Sequence, residues 1–527
     1  MDWHASGAGG AVAAGGEGAV AAGIAQLQQG GNAVDAAVAT LLALSVTDYG
    51  SFAIGGEIPL LLWDAKRKRV QAFSGVGAAP ASSEAMAWYT EHGIPAKGGV
   101  RATPVPGALH LCLTVLLMRG TRSFADVAAP TLGLLAAGTE AWHEALARTL
   151  EKLADTERRT TGMREDKILA ARDRAYAGDV ADALEAFYVR EGSFLRKRDL
   201  AAHVTRVEDP VSVAYRGYRV YKCGPWTQGP SLCQALRLLE GFDLRGAGHL
   251  SAGCIHVAVE ALKLAFADRD AHYGDPRFVD VPLEELFSDA YTRLRRELID
   301  PDHASMDLRP GDPRGMRPLL DRDGPSGLGP GGTTTCVASD RWGNVVAATP
   351  SANRPYAICE ALGIAHGNRL RSLNTHPRHP NRIEPGKRPR VTLTPTLVTH
   401  PDGRVLAVSV AGGDLQEQAT LNCLLNHIEF GMMPREAVSA PRFSTSHHEN
   451  SFRPHADRKE AVVARGLVKL DARVAADVER ELAARGHTVD RVQRAIGTPV
   501  MLVLDGASGT AHAAGDPSAG RHAQALG

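Results

Sequence analysis

The sequence predicts a layered α+β protein in which helices cover antiparallel strands. Three observations carry this reading. Apolar residues recur at helical spacing through most of the chain before residue 309, and a stretch dense in Pro, Gly and charge follows. Beyond it, two pairs of apolar runs flank turn sequences. With 527 residues, 44% hydrophobic and 22% charged, the chain has material for a large core.

From Glu17, "GEGAVAAGIAQLQQGGNAVDAAVATLLALSV" places Val20, Ile24 and Leu27 on one helical face, with Gly30 and Gly31 suited to end the helix. A second, more apolar helix is expected from about Asp35 to Val46, buried. "GGEIPLLLW" (Gly55 to Trp63) reads as an apolar strand, and "GVRATPVPGALH" as a loop entering a helix at about Ala108. The segment from roughly Phe124 to Arg206 is rich in Ala, Leu and Glu and reads as mostly helical. "SVAYRGYRVYKC" alternates as a strand pair around Arg216 and Gly217. "PSLCQALRLLEGFDL" opens a helix that Gly241 ends, and "CIHVAVEALKLAFADRDAHYGDP" is another. Arg309 to Gly332 has the composition of an exposed, mobile linker. After it, "TCVAS" and "VVAAT" flank "DRWGN", and "TLVTH" and "VLAVSV" flank "PDGR", giving two hairpins.

Bulk charge and cysteine usage bound the function. Lys+Arg and Asp+Glu both number 59, so no net field draws in nucleic acid or an anionic membrane, and a small-molecule partner is expected. The N-terminus lacks the pattern of a secretory signal, and no run of 18 or more apolar residues suggests a membrane span. The 7 cysteines are odd in number with no CxxC pair, which argues against a disulfide framework or a structural zinc site. A cytoplasmic enzyme without metal or cofactor is the expectation. His447 and His448 lack the spacing of zinc ligands and read as loop or solvent-facing residues. "GAGGAVAAGGEG" is not a phosphate loop, because no GK[ST] ends it.

The chemistry lies in "GGTTT" (Gly331 to Thr335). Glycines before a threonine let the Gly332 carbonyl be presented to the Thr333 hydroxyl. Attack there converts the amide to an ester, and water then splits the chain. The new N-terminal threonine carries a nucleophilic oxygen and, in its own α-amine, a base. The same five residues also read as a linker entering an edge strand of high β-propensity.

Seven blocks decide between these readings. "GGNAVDAAVA", "YRGYRVYKCGP", "LEGFDL", "EALKLAFADRDAHYGDPRFVDVP", "PGKRPRVTLTPTLV", "GGDLQEQ" and "FGMMPREAVSAPRF" resemble, in order and along nearly the whole chain, the gamma-glutamyltransferase family of N-terminal-nucleophile hydrolases. The resemblance implies a four-layer αββα sandwich, cut between Gly332 and Thr333. It implies a large-subunit region 1–332 and a small-subunit region 333–527 that pair as a heterodimer, with further dimerisation left open. In the family the nucleophile opens a T-T-x5-D-x-x-G-N segment. "TTTCVASDRWGN" keeps that spacing to Asp340, Gly343 and Asn344, which selects Thr333 over Thr334, Thr335 and Cys336, a strand filler.

By the same resemblance, Gly412 and Gly413 offer backbone N–H groups to an oxyanion, Ser351 bonds the threonine amine, and Asn353 touches substrate. Thr392 belongs to the substrate-binding set. Two departures stand out: the place of the family's carboxylate-clamping Arg holds Val76, and the place of its amine-binding Asp holds Ser372. Neither can make the charged contact; Arg369 and Arg390 are candidates to bind a carboxylate in another pose, each equally readable as a surface ion-pair residue. These departures, with "NRLRSL", "KRPRVTLTP" and "GGDLQEQ", look closer to the family's acylase and amidohydrolase branch. The expected function is an autoprocessing N-terminal-threonine amidohydrolase that cleaves a small acyl or gamma-glutamyl-like amide through an acyl-enzyme. The alternatives are a true gamma-glutamyltransferase or glutathione hydrolase, and an uncleaved, non-catalytic binding protein.

Overall fold

The computed structural model describes residues 2–320, 332–352, 357–452 and 462–527. Two seven-stranded sheets, antiparallel throughout, lie face to face. The first runs Arg521–Leu526, Gly10–Gly15, Cys336–Asp340, Val345–Ala348, Ile58–Asp64, Arg69–Gly75, Arg206–Glu208. The second runs His4–Gly7, Ala511–Gly515, Thr498–Leu504, Val405–Ala411, Thr396–Thr399, Tyr218–Lys222, Val211–Tyr215. Between them sits a core rich in small and β-branched residues, including Ala11, Ala13, Val337, Ala347, Ala407 and Val500, which lets the sheets approach closely.

Each sheet buries its other face under helices. Glu17–Gln28, Ala33–Thr47, Ala108–Arg119 and the helices from Phe124 onward cover the first. Pro230–Leu239, Ala252–His272 and Gln416–Ile428 cover the second. The result is the four-layer αββα sandwich. Its local signals match the sequence. Asn32 caps the helix Ala33–Thr47 in a capping box with Asp35. Arg216 and Gly217 both take positive φ, 50° and 84°, as a two-residue hairpin turn requires. Among the described residues no helix is long and apolar enough to cross a membrane.

Two expectations are corrected. The sheet core does not lie only beyond the linker, because both sheets interleave strands from either side of it, those expected in Gly55 to Trp63 and in Ser212 to Cys223 among them. His4–Gly7 and Gly10–Gly15 come from the Gly- and Ala-rich start, whose composition carries no strand signal. Pairing with Ala511–Gly515 and with Cys336–Asp340 decides their state. The stretch 309–320 is also not loose. Arg309 Nη2 donates to Glu260 Oε2 at 2.6 Å, the Gly311 N–H to Asp268 Oδ1 at 2.8 Å, and Arg295 Nη1 to the Pro318 carbonyl at 2.7 Å. The rest of that expected linker, 321–331, lies outside the described residues.

Candidate active site

Thr333 stands three residues before the first residue of the strand Cys336–Asp340, with only 6% of its surface exposed. The Thr334 N–H donates to the Pro350 carbonyl at 2.9 Å, so the threonines run beside the end of the neighbouring strand. Gly15 makes room for them, since a Cβ there would lie 2.5 Å from Thr334 Oγ1. The motif that selects Thr333 is itself the far turn of this hairpin. Asp340 accepts from the N–H groups of Trp342 and Asn344 at 2.9 and 3.0 Å, and its other oxygen accepts from Ala33 N–H at the start of a helix. Cys336 is fully buried, and burial raises its thiol well above the usual range, which disqualifies it as a nucleophile.

Beside Thr333 lies a buried polar relay. Ser351 Oγ donates to the Gly332 carbonyl, the acyl side of the Gly332–Thr333 bond. Arg369 Nη2 donates to Ser351 Oγ at 2.8 Å, and Arg369 Nε donates to Glu57 Oε1 at 2.7 Å. Glu57 is fixed by backbone pairing with Ser351 in both directions, at 2.9 and 3.0 Å. Burial pushes the Glu57 carboxyl above its ordinary value, against the pull of Arg369. The pair still leaves Arg369 Nη1 and Glu57 Oε2 buried without a hydrogen-bond partner among the described residues. Glu57 escaped the sequence reading, although a carboxylate opening the apolar run "GGEIPLLLW" was its signal.

The second strand system meets the first here. Thr349 Oγ1 and Ser409 Oγ are 2.8 Å apart, which ties the Thr333 end of one sheet to the strand Val405–Ala411 of the other. That strand runs out into Gly412 (φ 149°) and Gly413 (φ 61°). A Cβ on Gly413 would also lie 2.8 Å from the Phe452 ring. No described residue accepts a hydrogen bond from the Gly412 or Gly413 N–H. The turn is braced by Gln228, whose Nε2 donates to the carbonyls of Gly413 (3.1 Å) and Thr392 (2.9 Å). It is braced again by Asp414, which accepts from Arg269 Nη1 at 2.7 Å and from Ser451 Oγ at 2.6 Å. Burial raises the Asp414 carboxyl, but Arg269, His448 and Ser451 outweigh it and hold the group at about 2.

The remaining residues fall as follows. Thr392 and Ser372 are buried, each with a hydroxyl that has no partner among the described residues, and Ser372 shares a 3-10 turn with Arg369. Asn353 lies outside the described residues. Val76 is 1% exposed and packs in the core between the sheets. Neither Arg369 nor Arg390 is a surface ion-pair residue: the first is committed to Glu57, and the second reaches Asp270 at 3.1 Å and Ser451 at 3.0 Å inside the protein. His447 and His448 do not face solvent either, at 1% and 5% exposure. His447 bridges the Gly466 N–H (3.0 Å) and the Asp307 carbonyl (3.1 Å). The His256, Glu260 and His487 side chains come together elsewhere, within 4.8 Å, but their atoms are engaged. His256 Nδ1 meets His487 Nε2 at 2.8 Å, and Glu260 is paired by Lys263 and Arg309.

The family model described as gamma-glutamyltranspeptidase matches residues 19–141 and 133–526. The glutathione hydrolase proenzyme of Bacillus subtilis (strain 168) is 29% identical, over 95% of this chain and 88% of that protein. The acylase ACY 1 proenzyme of Pseudomonas sp. (strain SE83) is 30% identical, over 91% of this chain and 87% of that protein. The crystal structure of cephalosporin acylase from Bacillus halodurans has a TM-score of 0.83 at 25% identity, covering 100% of this chain and 97% of that one.

Proposed function

The chain belongs to the gamma-glutamyltranspeptidase family, whose members are amide hydrolases and acyltransferases made as proenzymes, and from that premise we propose an autoprocessing threonine amidohydrolase with Thr333 as nucleophile. The observation that carries this is the hydrogen bond from Ser351 Oγ to the Gly332 carbonyl. It polarises one particular peptide bond of the chain, the one whose next residue offers a hydroxyl. Thr333 Oγ adds to the Gly332 carbonyl carbon, and Ser351 stabilises the charge that develops on its oxygen. The C–N bond then breaks, the threonine nitrogen takes the hydroxyl proton, and an ester links the two parts. Water hydrolyses the ester, leaving a carboxylate at Gly332 and a free amine on Thr333.

In the mature enzyme that amine accepts the Thr333 hydroxyl proton as the oxygen attacks an external amide. The amine of the substrate leaves with the proton, the acyl group stays on Thr333, and water releases it as the acid. The Gly412 and Gly413 N–H groups, donating to no described residue, serve the oxyanion of this reaction. Regions 1–332 and 333–527 remain together, because each sheet is built from both.

Val76, buried between the sheets, and the neutral Ser372 favour an acylase-type substrate over a gamma-glutamyl donor. The acylase relative is in keeping with this. All 7 cysteines are unpaired, which favours a reducing compartment, and we assign the protein to the cytoplasm. Intact-mass measurement tests the central claim. Freshly purified protein should resolve into two fragments that join at Gly332 and Thr333, and Thr333→Ala should stay whole. A stable full-length wild type after long incubation would sink it.

A further inference from the structure

The cavity of about 630 Å³ beside the Gly412–Gly413 turn, which His448, Lys469 and Arg494 help to line, adjoins the active site already described. A smaller cavity, of about 180 Å³, shares no lining residue with it. It lies at the edge of the first sheet, where the strand Arg206–Glu208 pairs with Arg69–Gly75. Its volume falls below the roughly 300–1,000 Å³ of sites that enclose an extended small molecule, so it suits a compact ligand.

Three arginines line this cavity, Arg206, Arg277 and Arg388, and they are not equivalent. Arg388 is buried and fully engaged. Its guanidinium donates to the two oxygens of Asp275 at 3.0 and 3.2 Å, to Glu208 Oε1 at 2.9 Å and to Ser74 Oγ at 2.8 Å. The other Glu208 oxygen accepts from Trp226 Nε1 at 2.5 Å. Asp199, which also lines the cavity, accepts from the N–H groups of Ala81 and Arg196 at 3.2 and 2.8 Å. Each of these three carboxylates is therefore committed.

Arg206 and Arg277 are exposed, and neither forms an ion pair or side-chain hydrogen bond with a described residue. Partial burial, then Arg277 and Arg388, pull the Arg206 guanidinium below its ordinary value, against the opposing pull of Glu208 and Asp275. An anion between the two free guanidiniums relieves that repulsion. A neutral group stands beside them. His203 lines the cavity, and its Nε2 is buried with no hydrogen-bond partner among the described residues. Burial lowers its pKa to about 3, so the ring is uncharged and can offer one N–H.

We propose that this cavity binds a compact phosphate-type dianion, either inorganic phosphate or the phosphoryl group of a small monoester, with Arg206 and Arg277 as the charged donors and His203 Nε2–H as the neutral one. Forked guanidinium donors match the oxygens of a tetrahedral anion. Neither Thr333 nor the Gly412–Gly413 turn lines the cavity, so the site does not depend on the amidohydrolase reading. Gly386 and Arg388 bring region 333–527 into the same wall as Arg206 and Arg277, and an occupant braces the seam between the two regions.

The experiment is isothermal titration calorimetry at constant ionic strength, on protein exchanged into phosphate-free buffer, with inorganic phosphate, methyl phosphate and acetate as probes. Saturable binding of phosphate or methyl phosphate is expected, with a Kd of about 1 mM or tighter. The tighter of the two identifies the source of the phosphoryl group. Arg206→Gln with Arg277→Gln should weaken that binding at least about tenfold and shrink the rise in Tm that the ligand gives the wild type. Both side chains are exposed, so the double variant should melt at the wild-type temperature when no phosphate is present. Should it fail to fold, Arg277→Gln alone is held to the same expectation of weaker binding. No saturable binding of either phosphate probe, an affinity unchanged by the substitutions, or acetate bound as tightly as phosphate overturns the proposal. Thr333→Ala should bind phosphate as the wild type does; loss of binding there would place the anion at the nucleophile and overturn the assignment. Because binding is read whether or not the chain is cut, this proposal and the autoprocessing reading fail separately.

Discussion

Thr333 and the Gly412–Gly413 turn stand at adjoining ends of two facing sheets, but the groups around them are disposed in opposite ways. Around Thr333 the donors are turned inward: Glu57 holds Arg369, Arg369 holds Ser351, and Ser351 holds the Gly332 carbonyl. Around the glycine turn the donors face outward. The two N–H groups, Lys469 and Arg494 bond to no described residue, and the buried charges nearby, Asp414 and Arg269, cancel each other. A chain of partners that ends on the protein's own peptide bond suits a reaction performed once, on itself. A set of donors left open beside a cavity suits a ligand that comes and goes.

The largest way to break this comparison is to open the inward network at its base. Arg369→Met would leave the Glu57 carboxylate buried without its counter-charge, and removing one partner of such a pair typically costs about 3–5 kcal/mol. Denaturant unfolding should show a loss of that order, and Glu57→Gln combined with Arg369→Gln should recover part of it. If Arg369→Met unfolds at the wild-type midpoint, the relay is not structural. Next in size is Ser351→Ala, which removes the donor to the Gly332 carbonyl without touching Glu57. Autocleavage followed by mass should slow roughly 100-fold, about 2.7 kcal/mol of barrier, by analogy with the loss of one oxyanion donor. Cleavage at the wild-type rate would take Ser351 out of the self-processing step.

These two predictions also mark where the sequence is legible. The nucleophile could be chosen because Asp340, Gly343 and Asn344 stand at fixed distances from it, and the structure explains the spacing. They form the turn at the far end of the strand that Thr333 leads into, and Asp340 pins that turn to the start of the helix at Ala33. A short-range motif therefore reports a hairpin, and the hairpin positions the threonine. Glu57 and Arg369 are separated by 312 residues. No local pattern couples them, so their pairing emerges only once the strand at Ile58 lies beside the one ending at Ala348. The strands His4–Gly7 and Gly10–Gly15 were hidden for the same reason. Alanine and glycine carry little β-propensity, and what makes them strands is room between closely packed sheets and an exact fit of Gly15 against Thr334.

A smaller effect probes the outward side. Gly413→Ala places a side chain at φ 61° and within 2.8 Å of the Phe452 ring, a combination that costs of order 1–3 kcal/mol in backbone strain and repacking. Here the expected outcome is a split. Autocleavage should persist, since the Gly332 carbonyl is served by Ser351, while kcat on an external amide should fall. Equal loss of both activities would mean that one oxyanion site serves both reactions and that the two regions are not separate.

The smallest effect is a difference in how the two regions respond to acid. His447, beside the cavity-lining His448, is buried and flanked by Lys263, and these influences lower its pKa to about 3. An unfolded histidine titrates near 6.5. Above that pH both states are neutral and the site contributes its full stability; as pH falls from about 6.5 toward 3, the unfolded chain takes up a proton that the folded chain refuses, and stability declines. Protonation would also destroy the acceptor that His447 offers to the Gly466 N–H, which holds the segment leading to Lys469. Hydrogen exchange at pH 7.5 and pH 5 should therefore show faster opening of 466–471 at the lower pH, with little change at 334–340, where no histidine among the described residues is engaged. His447→Gln should flatten that pH dependence at 466–471. Uniform acceleration across both segments would mean that acid acts on the molecule as a whole, and the contrast between its inward and outward sides would then be one of ligand access alone.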